Sequence, residues 1–182
     1  MTDAKIASDG TMPGLSKIIA PVSIAALTVL SALPWGVAAE SRFVLPLLPV
    51  VAIHYWVLRD EADMVPEWFV FLCGLLLDVL TNGPLGFWSL IYLFAFALAR
   101  LSTGWAREGV MARWLLLLAA LALLSFCAWI ISSLYAVDVA DWRPFAWGAV
   151  AAGLAHPLLA LVLIGSRSGR RRRNNDLFER GV

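Results

Sequence analysis

The sequence predicts an all-α integral membrane protein with six transmembrane helices joined by short loops. The composition is the first reason: of the 182 residues, 61% are hydrophobic and 15% are charged, and the mean hydropathy is +0.81. Such values are typical of membrane proteins rather than soluble domains. The second reason is that the apolar residues fall into six segments whose connections are too short to fold as a separate soluble domain.

The six segments make one predicted transmembrane domain over 18–165. A cytoplasmic tail over 1–17 precedes it, and a basic cytoplasmic tail over 166–182 follows it. Each segment is near the roughly 20 residues that a helix needs to cross a bilayer. In chain order, segments 1 to 6 cover 18–36, 43–58, 66–81, 84–101, 114–136 and 143–165.

The distribution of Lys and Arg predicts that both tails face the cytoplasm. With that orientation, 12 of the 14 basic residues lie on the cytoplasmic side, and Arg42 and Arg143 lie outside. Cytoplasmic loops of membrane proteins carry an excess of Lys and Arg, so the reverse orientation is disfavoured.

Prolines mark the first two segments. Pro21 stands near the start of segment 1, whereas Pro46 and Pro49 stand near the outer end of segment 2. Two prolines in one turn predict a kink with unpaired carbonyl groups. His54 lies nearer the inner end of segment 2.

Segments 3 and 4 form one predicted hairpin. Asp78 is the only charged residue over 68–99. An unbroken helix over this run would be about 48 Å long, against roughly 30 Å for the bilayer core. The helix must therefore break, and Asn82-Gly83-Pro84 is the predicted turn, with Pro84 at the first position of the second arm. Because both arms are short, a re-entrant pair is the alternative to two full spans.

Asp78 is the sharpest functional candidate. With Gly74 and Asn82 it shares one predicted helix face, since the three residues are four apart. A face of small and polar residues should turn towards protein rather than lipid. A charge at the bilayer centre costs about 2.5–3.5 kcal/mol, and less for Asp78, which lies about four residues from the outer turn. The carboxylate should still have a partner. The interpretations are a brace of the turn, a contact with a partner protein, and a ligand or proton site.

The last two segments are predicted to play different roles. Segment 5 is the most uniformly apolar and is expected to face lipid. Segment 6 carries Gly148, Ala152, His156 and Ala160 four residues apart, which predicts a close-packing face. His156 is a possible mate for Asp78 or for a ligand, although a satisfied core histidine is the plainer interpretation.

A run of four arginines in the C-terminal tail predicts contact with anionic lipid. A docking site for a cytoplasmic protein is the alternative. The run consists of Arg170, Arg171, Arg172 and Arg173.

Motifs for catalysis, metals and cofactors are not apparent, so we expect no enzyme, no cofactor, no metal site and no nucleic-acid partner. The chain has two His and two Cys, and Cys73 and Cys127 are far apart within predicted spans. An intramembrane aspartyl protease would need two facing carboxylates, and Asp78 with Asp138 or Asp141 is the pairing that the sequence offers.

The hairpin resembles that of the rod shape-determining protein MreD family. This family shows a Gly, an Asp some four residues on, and a Leu-Gly that opens the next helix. The matching residues here are Phe71, Gly74, Asp78, Pro84, Leu85 and Gly86. The resemblance covers the chain in hydropathy and the hairpin in motif. It implies a non-enzymatic scaffold or assembly subunit of the bacterial cell-elongation complex, which directs peptidoglycan synthesis and cell shape from the inner membrane.

The resemblance also implies partners. These are an MreC-type bitopic protein, a RodA-type glycosyltransferase, a class B penicillin-binding transpeptidase and an MreB-type actin homologue, together with membrane lipid. The family is similar in fold to the substrate-binding S components of energy-coupling-factor vitamin transporters. In that alternative, Asp78, Asn82, Trp88 and the loop after segment 5 would line an outer pocket. Segment 1 lacks the Ala-x-x-x-Ala pair that S components usually carry.

Overall fold

Six α-helices form the described part of the protein. The computed structural model describes residues 13–33, 45–58, 65–105 and 109–158, and no β-strand occurs within these ranges. This result confirms the all-helical fold class. The helices are α1 (Pro13–Ala32), α2 (Leu48–Val57) with a preceding 3-10 turn (Leu45–Leu47), α3 (Glu67–Thr81), α4 (Phe87–Leu101), α5 (Val110–Ala136) and α6 over 143–158.

One helix in the described ranges is long and apolar enough to cross a membrane by itself. That helix is α5, which has 27 residues and, at 1.5 Å per residue, is about 40 Å long. The helices α3 and α4 have 15 residues each and are therefore about 22 Å long, less than the roughly 30 Å hydrocarbon core. Shorter apolar helices also occur at Ile18–Ala32, Leu45–Val57 and Phe87–Leu101.

Two helices begin before the apolar segments predicted for them. α1 begins at Pro13, so Pro21 lies inside the helix rather than near its start. α5 begins at Val110, directly after Gly109, and not at Trp114. The prediction counted only apolar residues, whereas Arg113 continues a helix well because arginine is a good helix former.

Most of the core lies where α1, α2, α3 and α4 meet, and it continues to Leu117, Leu121 and Leu124 on α5. Two polar groups in it are satisfied across helices: the Trp56 indole N–H donates to Ser23 Oγ at 2.8 Å, and the Tyr92 hydroxyl donates to the Pro46 carbonyl at 2.9 Å. Pro49 has no N–H to offer to that carbonyl at the spacing of a 3-10 turn, so Tyr92 takes its place. The largest fully buried apolar side chains include Ile24, Leu47, Ile53, Trp56, Leu77 and Ile91.

Hydrogen bonds to backbone carbonyls join α5 to α6 and to the loop that precedes it. Ser125 Oγ donates to the Phe145 carbonyl at 3.0 Å, and the Trp129 indole N–H donates to the Ala140 carbonyl at 2.8 Å. On α6, Gly148 and Ala152 are buried, as expected for a packing face, while Ala160 lies outside the described residues. Large apolar side chains on the opposite side of α5 are exposed, among them Leu115, Leu123, Phe126 and Ile130.

Helices α3 and α4 approach each other closely at Gly74. A Cβ atom added to Gly74 would lie 2.4 Å from the Ser89 Cα and 2.6 Å from the Ser89 nitrogen. These are backbone atoms, which cannot rotate away as a side chain can. Only glycine at position 74 therefore allows the two helices to approach this closely.

We expect Gly74→Ala to lower the free energy of unfolding by about 3 kcal/mol, because the added methyl group must push α3 and α4 apart. Thermal unfolding of the purified protein in detergent measures the effect. Gly104→Ala is the matched control, since a Cβ at Gly104 meets nothing within 4 Å. Gly153→Ala should be intermediate, because the nearest atom there, at 2.9 Å, is the flexible Leu118 Cδ2. Equal effects of the three substitutions would contradict the backbone-contact account.

Candidate functional site

The turn between α3 and α4 begins where Asn82 adopts a left-handed conformation, with φ of 51°. Asparagine tolerates this conformation better than most residues, which suits it to the end of a helix. The last carbonyl groups of α3 are satisfied locally. The Gly83 N–H donates to the Asp78 carbonyl at 3.0 Å, and Thr81 Oγ1 donates to the Leu77 carbonyl at 2.7 Å.

The carboxylate of Asp78 reaches across this turn to the start of α4. Its Oδ2 accepts the Gly86 N–H and its Oδ1 accepts the Trp88 N–H, each at 2.8 Å. The Ser89 hydroxyl lies 3.4 Å from Oδ2 and donates to it more weakly. Asp78 is fully buried, so these groups replace the water that the carboxylate loses.

This arrangement makes Asp78 the N-terminal cap of α4, although Asp78 belongs to α3. The residue at the usual capping position is Gly86, which has φ of 93° and no side chain to offer. A helix start leaves N–H groups without partners and carries a partial positive charge. A carboxylate supplied from the neighbouring helix meets both needs, and it fixes the angle between the two arms. These contacts correspond to the interpretation in which Asp78 braces the turn between the two helices.

Two predicted details of the hairpin were wrong. Asn82 does not share a helix face with Gly74 and Asp78, because α3 ends at Thr81 and Asn82 is exposed at the turn. Pro84 is not the first residue of the second arm, which begins at Phe87. The physical reason is that Asp78 accepts hydrogen bonds from the N–H groups of Gly86 and Trp88, so the helix starts at this cap and not at the proline.

Six of the predicted site residues lie together at the turn or directly below it. They are Gly74, Asp78, Asn82, Gly83, Pro84 and Gly86.

His156 does not belong to that group. The described hydrogen bonds of the Asp78 carboxylate all go to 86–89, so His156 is not its mate. Instead, His156 is a half-buried residue of α6. The Nε2 atom of His54 is buried without a hydrogen-bond partner within the described ranges. The arginine run at 170–173 lies outside the described residues.

The aspartates weighed as a pair in the sequence analysis lie in different surroundings. Asp78 is fully buried at its turn, whereas Asp138 and Asp141 are exposed and accept the backbone N–H groups of Val139 and Arg143. Both cysteines are free. Among the described side chains, no group of three or more His, Cys, Asp or Glu is placed to hold a metal ion.

An outer ligand pocket around Asp78 and Trp88 is not open in this structure. Asp78 has 0% and Trp88 has 3% of its surface exposed, and both carboxylate oxygens are already occupied. A ligand arriving from outside would have to displace the cap of α4 to reach Asp78.

Sequence reasoning missed the contact that closes the other end of the hairpin. Arg100 in the last turn of α4 binds Glu67 in the first turn of α3, with 2.8 Å between Nη1 and Oε1. The Arg100 guanidinium also lies over the Phe96 ring, 5.4 Å from its centroid. The two residues are 33 apart in sequence, but a hairpin with arms of equal length brings its two open ends together. The predicted hairpin was therefore the sequence feature that could have indicated this ion pair.

Comparison with known proteins gives no relative: no protein-family model, no curated protein and no solved structure matches the chain.

Asp78→Asn is expected to be tolerated better than Asp78→Leu. The amide oxygen of asparagine can accept one of the two backbone N–H groups, so the loss should be about 1–3 kcal/mol, whereas leucine leaves both N–H groups buried without a partner and should cost roughly twice as much. Membrane abundance and thermal unfolding in detergent measure the difference. Equal losses for both variants would show that the charge of Asp78, rather than its hydrogen bonds, is needed.

Proposed function

We propose that the protein is a non-enzymatic scaffold of the bacterial cell-elongation complex, embedded in the inner membrane by six spans with both tails in the cytoplasm. Its direct partner is a single transmembrane helix of an MreC-type protein. Through that partner it associates with a RodA-type glycosyltransferase and a class B penicillin-binding transpeptidase. The basic cytoplasmic tail faces anionic lipid or an MreB-type filament.

This proposal is supported by the contacts that the residues of the MreD resemblance make in the structure. The two helices touch at Gly74. The carboxylate of Asp78 accepts hydrogen bonds from the N–H groups of Gly86 and Trp88, and we call this contact the clamp. A clamp of this kind does no chemistry, but it holds two helices at a fixed angle. A scaffold needs such rigidity, because a partner helix binds best to a surface that is already ordered.

Phe71, also part of the resemblance, is three residues before Gly74 and seven before Asp78, so it lies at the edge of their side of α3. Its side chain is 40% exposed and adjoins an apolar face that turns away from α4. That face consists of Trp68, Leu72, Leu76 and Val79, with Phe71 at its edge. The clamp orders this face, and its apolar composition suits a transmembrane helix of a partner. We therefore assign the partner contact to the outer face of α3.

The exterior of the described helices supports embedding in a membrane. Large apolar side chains are exposed along α3, α4 and α5, and a soluble monomer rarely exposes apolar patches of such extent. Helices α3 and α4 are individually short, so the hairpin spans fully only if the turn at 82–86 reaches the outer surface.

Cysteine labelling tests the six spans. In a variant with Cys73 and Cys127 replaced by alanine, we expect a cysteine at Leu85, which is 74% exposed at the turn, to react with a membrane-impermeant maleimide added to intact spheroplasts. A cysteine at Val139 in the loop after α5 is the outer control, and one at Leu101 is the inner control. Labelling at Val139 without labelling at Leu85 would show a re-entrant hairpin and contradict six spans.

Site-specific photo-crosslinking tests the partner and the face together. A photoreactive phenylalanine analogue at Phe71 should crosslink an MreC-type protein in native membranes, with wall-synthesis enzymes recovered alongside it by mass spectrometry. Phe126 is the matched control, because it is also an exposed phenylalanine but lies on α5. We expect the crosslink from Phe71 to be at least fivefold stronger.

Two results would contradict the proposal. Equal crosslinking from Phe71 and Phe126 would remove α3 as the binding face. Recovery of a stoichiometric vitamin with transporter ATPase subunits, and no wall-synthesis protein, would make the chain an S component of an energy-coupling-factor transporter.

A further inference from the structure

We propose that the cytoplasmic end of the α3–α4 hairpin holds one phospholipid with a zwitterionic, amine-bearing headgroup of the phosphatidylethanolamine type. The site is an open groove of about 430 Å³ beside α4. This proposal rests on the membrane embedding argued above, but not on the scaffold role.

The groove is built from one face of α4 and the first turn of α3. Five of its lining residues recur on α4 at spacings of three, one, three and one, which places them on a single helix face. The lining residues are Glu67, Leu93, Phe96, Ala97, Arg100 and Leu101. The floor is apolar, and both charged residues belong to the end that lies opposite the 82–86 turn. This combination matches a lipid, with an acyl chain along the apolar floor and a headgroup at the charged end.

The charges favour a zwitterionic headgroup. Glu67 and Arg100 neutralise each other at 2.8 Å, yet their side chains remain 63% and 48% exposed. A purely anionic headgroup would gain from Arg100 and lose against Glu67. A headgroup with adjacent phosphate and ammonium groups is attracted by both, because each of its charges faces the opposite charge.

The two side chains also have hydrogen-bonding capacity left for a headgroup. The guanidinium has five N–H donors, and the described ion pair uses the Nη1 atom only. The carboxylate of Glu67 uses Oε1, which leaves Oε2 to accept from an ammonium group. The ring of Phe96 holds the guanidinium in place at 5.4 Å, so the phosphate would meet an ordered donor.

The orientation of the chain places this site in the inner leaflet. Arg100 opens the loop that the distribution of basic residues assigns to the cytoplasm, and Glu67 follows the other cytoplasmic loop of the hairpin. The lipid would fill the groove beside α4 and leave the outer face of α3 free.

Native mass spectrometry tests the site. The full chain is reconstituted in vesicles of phosphatidylethanolamine, phosphatidylglycerol and phosphatidylcholine in equal amounts with identical acyl chains, and is then released in mild detergent. We expect one retained phosphatidylethanolamine per chain, at least fivefold above either other lipid. Phosphatidylcholine is zwitterionic but its headgroup has no N–H donor for Glu67, which makes it the sharpest lipid control.

Ala97→Phe should lower retention of phosphatidylethanolamine at least fivefold, since Ala97 is exposed in the groove and phenylalanine would fill it. Ala119→Phe is the matched control, an exposed alanine on α5, and should retain the lipid unchanged. Arg100→Gln provides a second variant that leaves the groove open and should lower retention to a similar extent.

Equal retention of the three lipids would overturn the proposal, as would unchanged retention in both Ala97→Phe and Arg100→Gln. Carbonate extraction of the same membranes separates this failure from a failure of membrane embedding. A chain that resists carbonate yet retains no phosphatidylethanolamine overturns the lipid site alone, whereas a chain that carbonate removes overturns the embedding as well.

Discussion

The contact between the Asp78 carboxylate and the first N–H groups of α4 is the constraint on which the hairpin depends. An unpaired backbone N–H in apolar surroundings is costly, and so is an unpaired carboxylate. Gly86 and Trp88 donate the two N–H groups, at 2.8 Å each, and Asp78 accepts both. The carboxylate and the two N–H groups are thus buried with partners. A change in the angle between α3 and α4 would break these hydrogen bonds and leave both the carboxylate and the N–H groups without partners.

The rest of the hairpin follows from this clamp. With the turn fixed at one end, Gly74 allows the backbones to meet in the middle, and the Glu67–Arg100 ion pair joins the arms at the open end. Three contacts of different kinds thus hold one helix pair along its whole length. An exposed ion pair contributes little by itself, so the clamp and the backbone contact supply the rigidity, while the ion pair remains accessible to a headgroup.

The proposed roles use separate surfaces of the same rigid pair. The outer face of α3 carries the apolar side chains assigned to a partner helix, while the groove beside α4 carries the charged pair assigned to a lipid. Neither surface requires the buried carboxylate to contact a ligand. Asp78 acts in both roles only by keeping α3 and α4 in register.

The sequence by itself determined the all-helical class, the hairpin and the need for a partner for Asp78, because a lone charge in a long apolar run and an Asn-Gly-Pro turn are local signals. Tertiary structure decided which partner Asp78 takes. A capping bond from one helix to the next depends on how their ends meet, so sequence reasoning offered His156 as a mate and started the second arm three residues early, at Pro84 rather than Phe87. The ion pair of Glu67 with Arg100 was missed for a related reason: the predicted hairpin indicated that the two ends meet, but only the assembled helices show that these two side chains lie 2.8 Å apart.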